Sequence, residues 1–238
     1  MDIKDKVVVI TGASSGIGLA TAKLFSQKGA KVALVARSKD KLEKLTKELS
    51  GSIAIPTDMT KENQIREMID EVKKHYGRID VLINNAGRGY DASIDKINLG
   101  KYKELFDLNL AGPLVAMQAV IPIMKKQKQG MIVNISSGTS LMYIPSISAY
   151  SSLKRALNGI SLTAREELKE YGITVSLVYP YITATNFYKN KLNETNGTNE
   201  DNRYLREGDS PEHVAEKILE AIKTEKAEIY VHDRMKNL

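Results

Sequence analysis

The sequence predicts an α/β fold: a Rossmann-like, doubly wound parallel sheet of about seven strands with helices on both faces, forming a single domain over residues 1–238. Three observations carry that expectation. Short apolar, β-branched runs alternate with amphipathic stretches from end to end, the pattern of repeated βαβ units with right-handed crossovers. The first run, Lys6-Val7-Val8-Val9-Ile10, passes directly into a glycine-rich turn and then into helical spacing. The length of 238 residues suffices for one domain with a sizeable core, and no internal repeat divides it.

Taken in order, the run near 6–11 is apolar at successive positions and reads as a strand buried on both faces. Thr11-Gly12-Ala13-Ser14-Ser15-Gly16-Ile17-Gly18 follows, then a helix near 17–28. In such a unit the first glycine permits the tight turn and the others let backbone and ligand approach closely. The helix N-terminus then offers N–H groups and a positive dipole end to a diphosphate. Gly12, Ser14, Ser15, Gly16, Ile17 and Gly18 are therefore candidate cofactor contacts, with a ligand-free turn as the plain alternative. The strand near 31–36 ends in Val35-Ala36-Arg37. NAD-binding sites place a carboxylate about 20 residues past the glycine turn, on the ribose 2′-hydroxyl. Ala36 stands there instead, and the Arg37 guanidinium suits a bidentate grip on a 2′-phosphate, so NADP(H) is expected over NAD(H). A solvent-exposed arginine is the alternative.

A helix near 39–50 leads to a strand near 52–56 and then Asp58-Met59-Thr60, which reads as the start of a helix near 61–75 with Thr60 as N-cap. The strand near 79–83 runs into Asn84-Asn85-Ala86-Gly87. The helical stretch near 101–127 contains Asn109, a poor helix former. The strand near 130–136 delivers Ser137 just beyond its end, and Tyr150-Ser151-Ser152-Leu153-Lys154 opens a helix near 149–171. Residues four apart share a helix face, so the Lys154 stem rises beside the Tyr150 ring. A phenol with a pKa of about 10 is a poor acid–base group near neutrality, but a fixed cation favours phenolate and moves it towards working pH. Taken alone, Y-x-x-x-K is also an ordinary helix pair. The strand near 173–179 ends at Pro180. Residues 186–209, including the Asn-, Glu- and Thr-rich Lys189 to Arg206, read as a mobile substrate loop. A helix near 211–224 and a strand near 228–231 complete the pattern. Thr11, Asn84, Ser137 and Pro180 all follow strand ends and so converge on one sheet edge, where such folds bind ligands.

Together, Thr11–Gly18, Asn84–Gly87, Asn109, Ser136-Ser137 and Tyr150/Lys154 resemble the short-chain dehydrogenase/reductase family in its form of about 250 residues, over nearly the whole chain. The resemblance implies that Asp58 reaches the adenine, that Asn85 and Ala86 line the adenosine ribose, and that Lys154 also holds the nicotinamide ribose. It implies that Thr183 and Thr185 touch the carboxamide and diphosphate, and that Asn109 orders a water in a proton relay to Lys154. Asn109 also fits a buried polar residue bonding neighbouring backbone. Gly87, Pro180 and Tyr150 complete the expected cofactor contacts. Tyr181 stands where the family usually has glycine, and Leu153 where a small polar residue is common.

The expected activity is NADP(H)-dependent hydride transfer to or from a carbonyl or secondary alcohol, with catalytic residues Asn109, Ser137, Tyr150 and Lys154. Leu141-Met142-Tyr143-Ile144, Tyr181-Ile182 and Phe187-Tyr188 suggest an apolar substrate. A non-catalytic NADP(H)-sensing scaffold, or a nicotinamide-using epimerase or lyase, is the alternative. The net charge of +6 raises nucleic acid as a partner, but lysines interleave with acids, as in Lys39 to Glu48, which reads as a solvated helix face. No metal-ligand spacing occurs, and the chain has no cysteine, which removes disulfide and thiol chemistry. No window approaches about 18 uninterrupted apolar residues and the N-terminus lacks a secretory pattern, so a cytoplasmic protein is expected. Leu105, Leu114, Leu157 and Ile160 exceed what one buried stripe needs, though some must face the sheet, and suggest a homodimer or homotetramer.

Overall fold

The computed structural model describes residues 1–183, 187, 191–193 and 208–237. Its main sheet is parallel throughout. It comprises β1 (Val7–Thr11), β2 (Lys31–Ala36), β3 (Ile53–Pro56), β4 (Val81–Asn84), β6 (Gly130–Ile135), β7 (Ile173–Tyr179) and β9 (Glu228–Tyr230). Their order is β3-β2-β1-β4-β6-β7-β9. The chain winds outward from β1 to β3 and then returns to the other side of β1 with β4. The switch point therefore lies between β1 and β4, where the crevice of a doubly wound sheet opens.

Period-2 alternation explains why both faces are covered. In β1, Val8 and Ile10 face one layer while Val7 and Val9 face the other. The first layer packs on α1 (Gly16–Gln27), α2 (Lys39–Glu48) and α7 (Pro211–Thr224), through Phe25, Leu42 and Ile218 among others. The second packs on α3 (Glu62–Tyr76), α5 (Gly112–Gln127) and α6 (Ser148–Leu168), through Ile65, Met117, Val120 and Leu168. Local chemistry sets several ends. The Ser210 side chain accepts from the His213 N–H with Pro211 in the first turn of α7, and Gly77 closes α3 in the left-handed region at φ 76°.

Two expectations are corrected and one is refined. The side chain of Thr60 does not cap α3: the N-cap is Lys61, and Thr60 donates its N–H and hydroxyl to Asp58 Oδ1 instead, at 3.0 and 2.9 Å. Leu105 and Leu157 are spent inside the protomer, in a small cluster with Tyr90, Leu110, Ala149 and Leu153. The stretch read near 101–127 is a helix over Leu99–Gln127, α4 (Leu99–Phe106) joined to α5 by a π-type turn at Asp107–Ala111. By length and composition alone that helix could cross a membrane, but it carries buried Asn109 and packs on the sheet through Ala116, Met117, Val120 and Met124.

Sequence patterning did not anticipate a second, two-stranded parallel sheet. β5 (Tyr90–Asp91) pairs with β8 (Leu192–Asn193), which docks a piece of the candidate substrate loop against the chain just beyond Gly87.

Candidate active site

The site begins at the C-terminal end of β1. The Thr11 hydroxyl accepts from the Asn85 and Ala86 N–H groups, both at 3.0 Å, while Asn85 Nδ2 donates to the Thr11 carbonyl at 2.9 Å. These bonds bind the ends of β1 and β4 together across the switch point. Gly12 at φ 71° and Gly16 at φ 54° occupy the left-handed region that favours glycine. Gly18 is required by space instead: a Cβ there would run into the Gly12 carbonyl and lie 2.6 Å from Asn85 Nδ2. Ser15 is the N-cap of α1 but makes no side-chain cap, and the first turn holds no acid, so that helix end keeps its positive character.

A cleft of about 910 Å³ runs over this turn. At one end it is lined by Ala36, Arg37, Ser38, Lys41 and Asp58, in the middle by Gly12, Ser14, Ser15, Gly16, Ile17, Asn85, Ala86 and Gly87, and at the other end by Ser137, Tyr150 and Lys154. Pro180 and Thr183 lie on the same wall. Burial alone would raise the Asp58 carboxyl, but hydrogen bonds from Thr60 and the nearby Arg37 charge outweigh it and hold the group below its ordinary value. Ser38 and Lys41 were not anticipated. They sit where α2 begins, and only the fold shows that its first turn faces the cleft beside Arg37.

Lys154 is buried, and its ammonium donates to the Ile135 carbonyl at 2.8 Å. Burial lowers its pKa from 10.5 to about 8, which leaves it a cation at neutral pH. Its Nζ lies 5.8 Å from the Tyr150 ring centroid, as the shared helix face predicts. Ser137 caps a short 3₁₀ turn, Gly138–Leu141. Its Oγ accepts from the Thr139 N–H at 3.2 Å and from the Thr139 hydroxyl at 3.0 Å, so its own proton is available to a third partner.

Asn109 is fully buried in the π-type turn. Its Nδ2 donates to the carbonyls of Arg88 and Leu105, at 3.0 and 3.1 Å, and its Oδ1 accepts from the Arg88 N–H at 3.2 Å. The side chain thus fixes the backbone just beyond Gly87, one of the two roles the sequence left open. A Cβ on Gly87 would lie 2.8 Å from Asn109 Oδ1 and 3.8 Å from Lys154 Nζ, so Asn109 and Lys154 approach the same point. π-type turns of this kind occur preferentially at functional sites.

The remaining walls are mixed in character. Met142, Ile144, Tyr181, Ile182 and Phe187 line the cleft, and the Phe187 ring meets Tyr150 edge-on at 5.7 Å. Leu141 packs into the core instead, and Tyr143 is 92% exposed with the Arg155 guanidinium over its ring. Tyr181 packs near Gly138 and edge-on to His232. The Asp91–Lys191 pair, at 2.6 Å and partly buried, adds a polar element to an otherwise apolar wall. Thr185 and Tyr188 lie outside the described residues.

Known proteins resemble this chain over most of its length. A family model described as short chain dehydrogenase matches residues 6–196. An uncharacterized oxidoreductase of Bacillus subtilis is 34% identical over 200 residues, covering 82% of this chain and 78% of its own. One from Staphylococcus saprophyticus is 41% identical over 168 residues, 70% and 68% of the two chains. Among solved structures, a short chain dehydrogenase/reductase from Burkholderia phymatum in complex with NAD superimposes with a TM-score of 0.92 at 25% identity, over 100% of this chain and 92% of its own. A short-chain dehydrogenase from Streptomyces avermitilis gives 0.88 at 29% identity, over 100% and 91%.

Proposed function

The chain belongs to the short-chain dehydrogenase/reductase family of oxidoreductases, and from that premise we propose that it transfers a hydride between NADP(H) and a carbonyl or secondary alcohol. One observation carries the reading: a single cleft joins Arg37, the glycine turn and the Ser137–Tyr150–Lys154 group. The residues present fit a dinucleotide. The turn has space only for glycine at Gly18, the α1 N-terminus faces a diphosphate position, and Arg37, Ser38 and Lys41 offer cationic and hydroxyl donors to a 2′-phosphate. No carboxylate stands at Ala36 to repel that phosphate or to favour a free 2′-hydroxyl. The Burkholderia phymatum protein was solved with NAD, so the NADP(H) preference rests on this chain's own residues.

When bound, the nicotinamide supplies or accepts the hydride. The chain's residues do the rest. The Ser137 hydroxyl, with Thr139 occupying its acceptor side, donates to the substrate oxygen. Tyr150 gives that oxygen a proton during reduction and takes it back during oxidation. Lys154 stays cationic below about pH 8 and lowers the cost of a negative phenol oxygen. Asn109 holds the backbone beyond Gly87 and so shapes the floor next to Lys154. Met142, Ile144 and Phe187 favour an apolar carbonyl compound.

The test is Tyr150→Phe, which removes one oxygen and keeps the ring against Phe187. Turnover of NADPH with a panel of aromatic ketones, diketones and aliphatic carbonyls should fall by ~10²–10⁴, with the NADPH dissociation constant nearly unchanged. More than a tenth of wild-type turnover in the variant would remove Tyr150 from this role.

A further inference from the structure

The turn that carries Ser137 is fastened to the helix that carries Tyr150 and Lys154 by side chains none of which belongs to the proposed acid–base group. Asn158 on α6 donates from Nδ2 to Ser140 Oγ at 3.0 Å, and the Ser140 hydroxyl donates to the Ser137 carbonyl at 2.7 Å. The Oδ1 of Asn158 accepts from the Ser136 hydroxyl at 2.5 Å. One turn earlier on α6, Arg155 Nε donates to the Ser140 carbonyl at 2.9 Å and its NH2 to the Met142 carbonyl at 2.5 Å. Ser136 and Ser140 are buried, and Arg155 and Asn158 are partly buried, so water does not readily replace these bonds.

Helix geometry explains how one element does both jobs. Tyr150, Lys154 and Asn158 are each four residues apart and so run along one side of α6, with Arg155 beside them. The first two face the cleft, and the next turn reaches the 3₁₀ segment Gly138–Leu141. We propose that Asn158 and Arg155 are positioning residues: through Ser140 they set Ser137 in register with Tyr150, so that both hydroxyls meet one substrate oxygen. Arg155 additionally fixes Met142, a wall of the cleft, and so influences which substrates fit. The inference rests on the functional reading above, in which Ser137 and Tyr150 share that oxygen.

A positioning role predicts coupling, and a merely structural role does not. With NADPH and 1-phenyl-1,2-propanedione as probe, Asn158→Ala and Ser140→Ala should each lower kcat on the order of tenfold to a hundredfold, as a misplaced group does. The NADPH dissociation constant should hardly move. In a Ser137→Ala background, Asn158→Ala should cost almost nothing further, because the group it positions is gone. Arg155→Met should raise KM as well as lower kcat, and Arg155→Lys should restore little, since one ammonium cannot reach both carbonyls in the fork geometry. A second readout needs no substrate: amide hydrogen exchange over residues 138–142 should quicken in Asn158→Ala while β6 and α6 keep their protection. Additive losses in the Ser137→Ala background, or unchanged exchange at 138–142, overturn the proposal. If instead Ser137→Ala and Tyr150→Phe retain full turnover, or the wild type reduces no member of the carbonyl panel, the functional reading fails; the exchange measurement still decides whether the turn is fastened as described.

Discussion

At the scale of single residues, Lys154 is the group whose energetics are most directly exposed to experiment. Its ammonium is buried and donates to the Ile135 carbonyl, and burial brings its pKa down to about 8 from 10.5. Between those values the unfolded chain holds a proton at this site that the folded chain has lost. Unfolding then takes up a proton, so this residue's contribution makes the folded state more stable as pH rises from about 8 to 10.5. Below about 8 the full cost of burying the charge is present. Lys154→Met removes that cost and also loses the bond to Ile135, so the informative quantity is the slope. Relative to the variant, the wild type should gain about 3 kcal/mol across this window in urea unfolding without cofactor. Parallel stability curves for the two proteins between pH 7 and 10.5 would show that the ammonium is solvated. A second residue-scale prediction concerns Arg37. A charge-assisted contact is worth about 1.5–3 kcal/mol, so Arg37→Ala should weaken NADPH binding roughly tenfold to a hundredfold and leave NADH nearly unchanged, measured by titration at moderate salt. Equal wild-type affinity for the two cofactors would defeat the NADP(H) assignment. Arg37 was legible in the sequence because a strand end and a fixed offset from the glycine turn locate it. Lys41 and Ser38 were not, because nothing in a lysine-rich helix marks which of its residues faces a cleft.

At the scale of elements, the strand–turn–helix unit was readable because each of its residues obeys a local rule, and the structure adds the reason for Gly18. Its missing Cβ is what lets the turn close on Asn85, which lies on a different strand end. Gly18→Ala must push away the Gly12 carbonyl or the Asn85 amide, an overpacking cost of about 1–3 kcal/mol. We expect a lower urea midpoint together with at least tenfold weaker NADPH binding. A variant of wild-type stability and affinity would mean that the turn relaxes freely. The β5–β8 pair shows where element-level reading stops. Two residues on each side leave no periodicity to detect, and the pairing depends on a long-range return of the chain. The same limit hid the fastening of the Ser137 turn. Ser140, Arg155 and Asn158 are unremarkable in a helix or loop sequence and gain meaning only when β6 and α6 lie side by side. The misread N-cap at Thr60 is the reverse case, a correct local cue satisfied by a different acceptor, Asp58.

At the scale of the whole molecule, the parallel main sheet and its two-sided burial followed from strand–helix alternation, but the strand order and the outer surface did not. Of the four apolar positions that suggested association, Leu105 and Leu157 are core residues, and Ile160 packs partly against the same cluster. Other side chains now carry the argument: Phe106 at the end of α4 is 41% exposed and Leu162 on α6 is 36% exposed, with Leu114 partly exposed on α5. The helix Leu99–Gln127 is committed to the sheet through one face, so an apolar surface on its other face is better matched by a second protein surface than by lipid. A second copy of this chain would meet it with the same residues about a two-fold axis, the commonest closed arrangement. We therefore predict a homodimer or homotetramer, with a scattering mass at micromolar concentration of two or four times 26.4 kDa. Leu162→Glu lies three turns beyond Tyr150 on α6 and places a charge on that surface without disturbing a fully buried side chain. It should yield monomers that keep the wild-type circular dichroism and bind NADPH, since one protomer by itself supplies the cleft residues described above. A wild-type mass of one protomer would show that these apolar side chains face solvent alone, and a variant that stays oligomeric would move the interface to another face of the sheet.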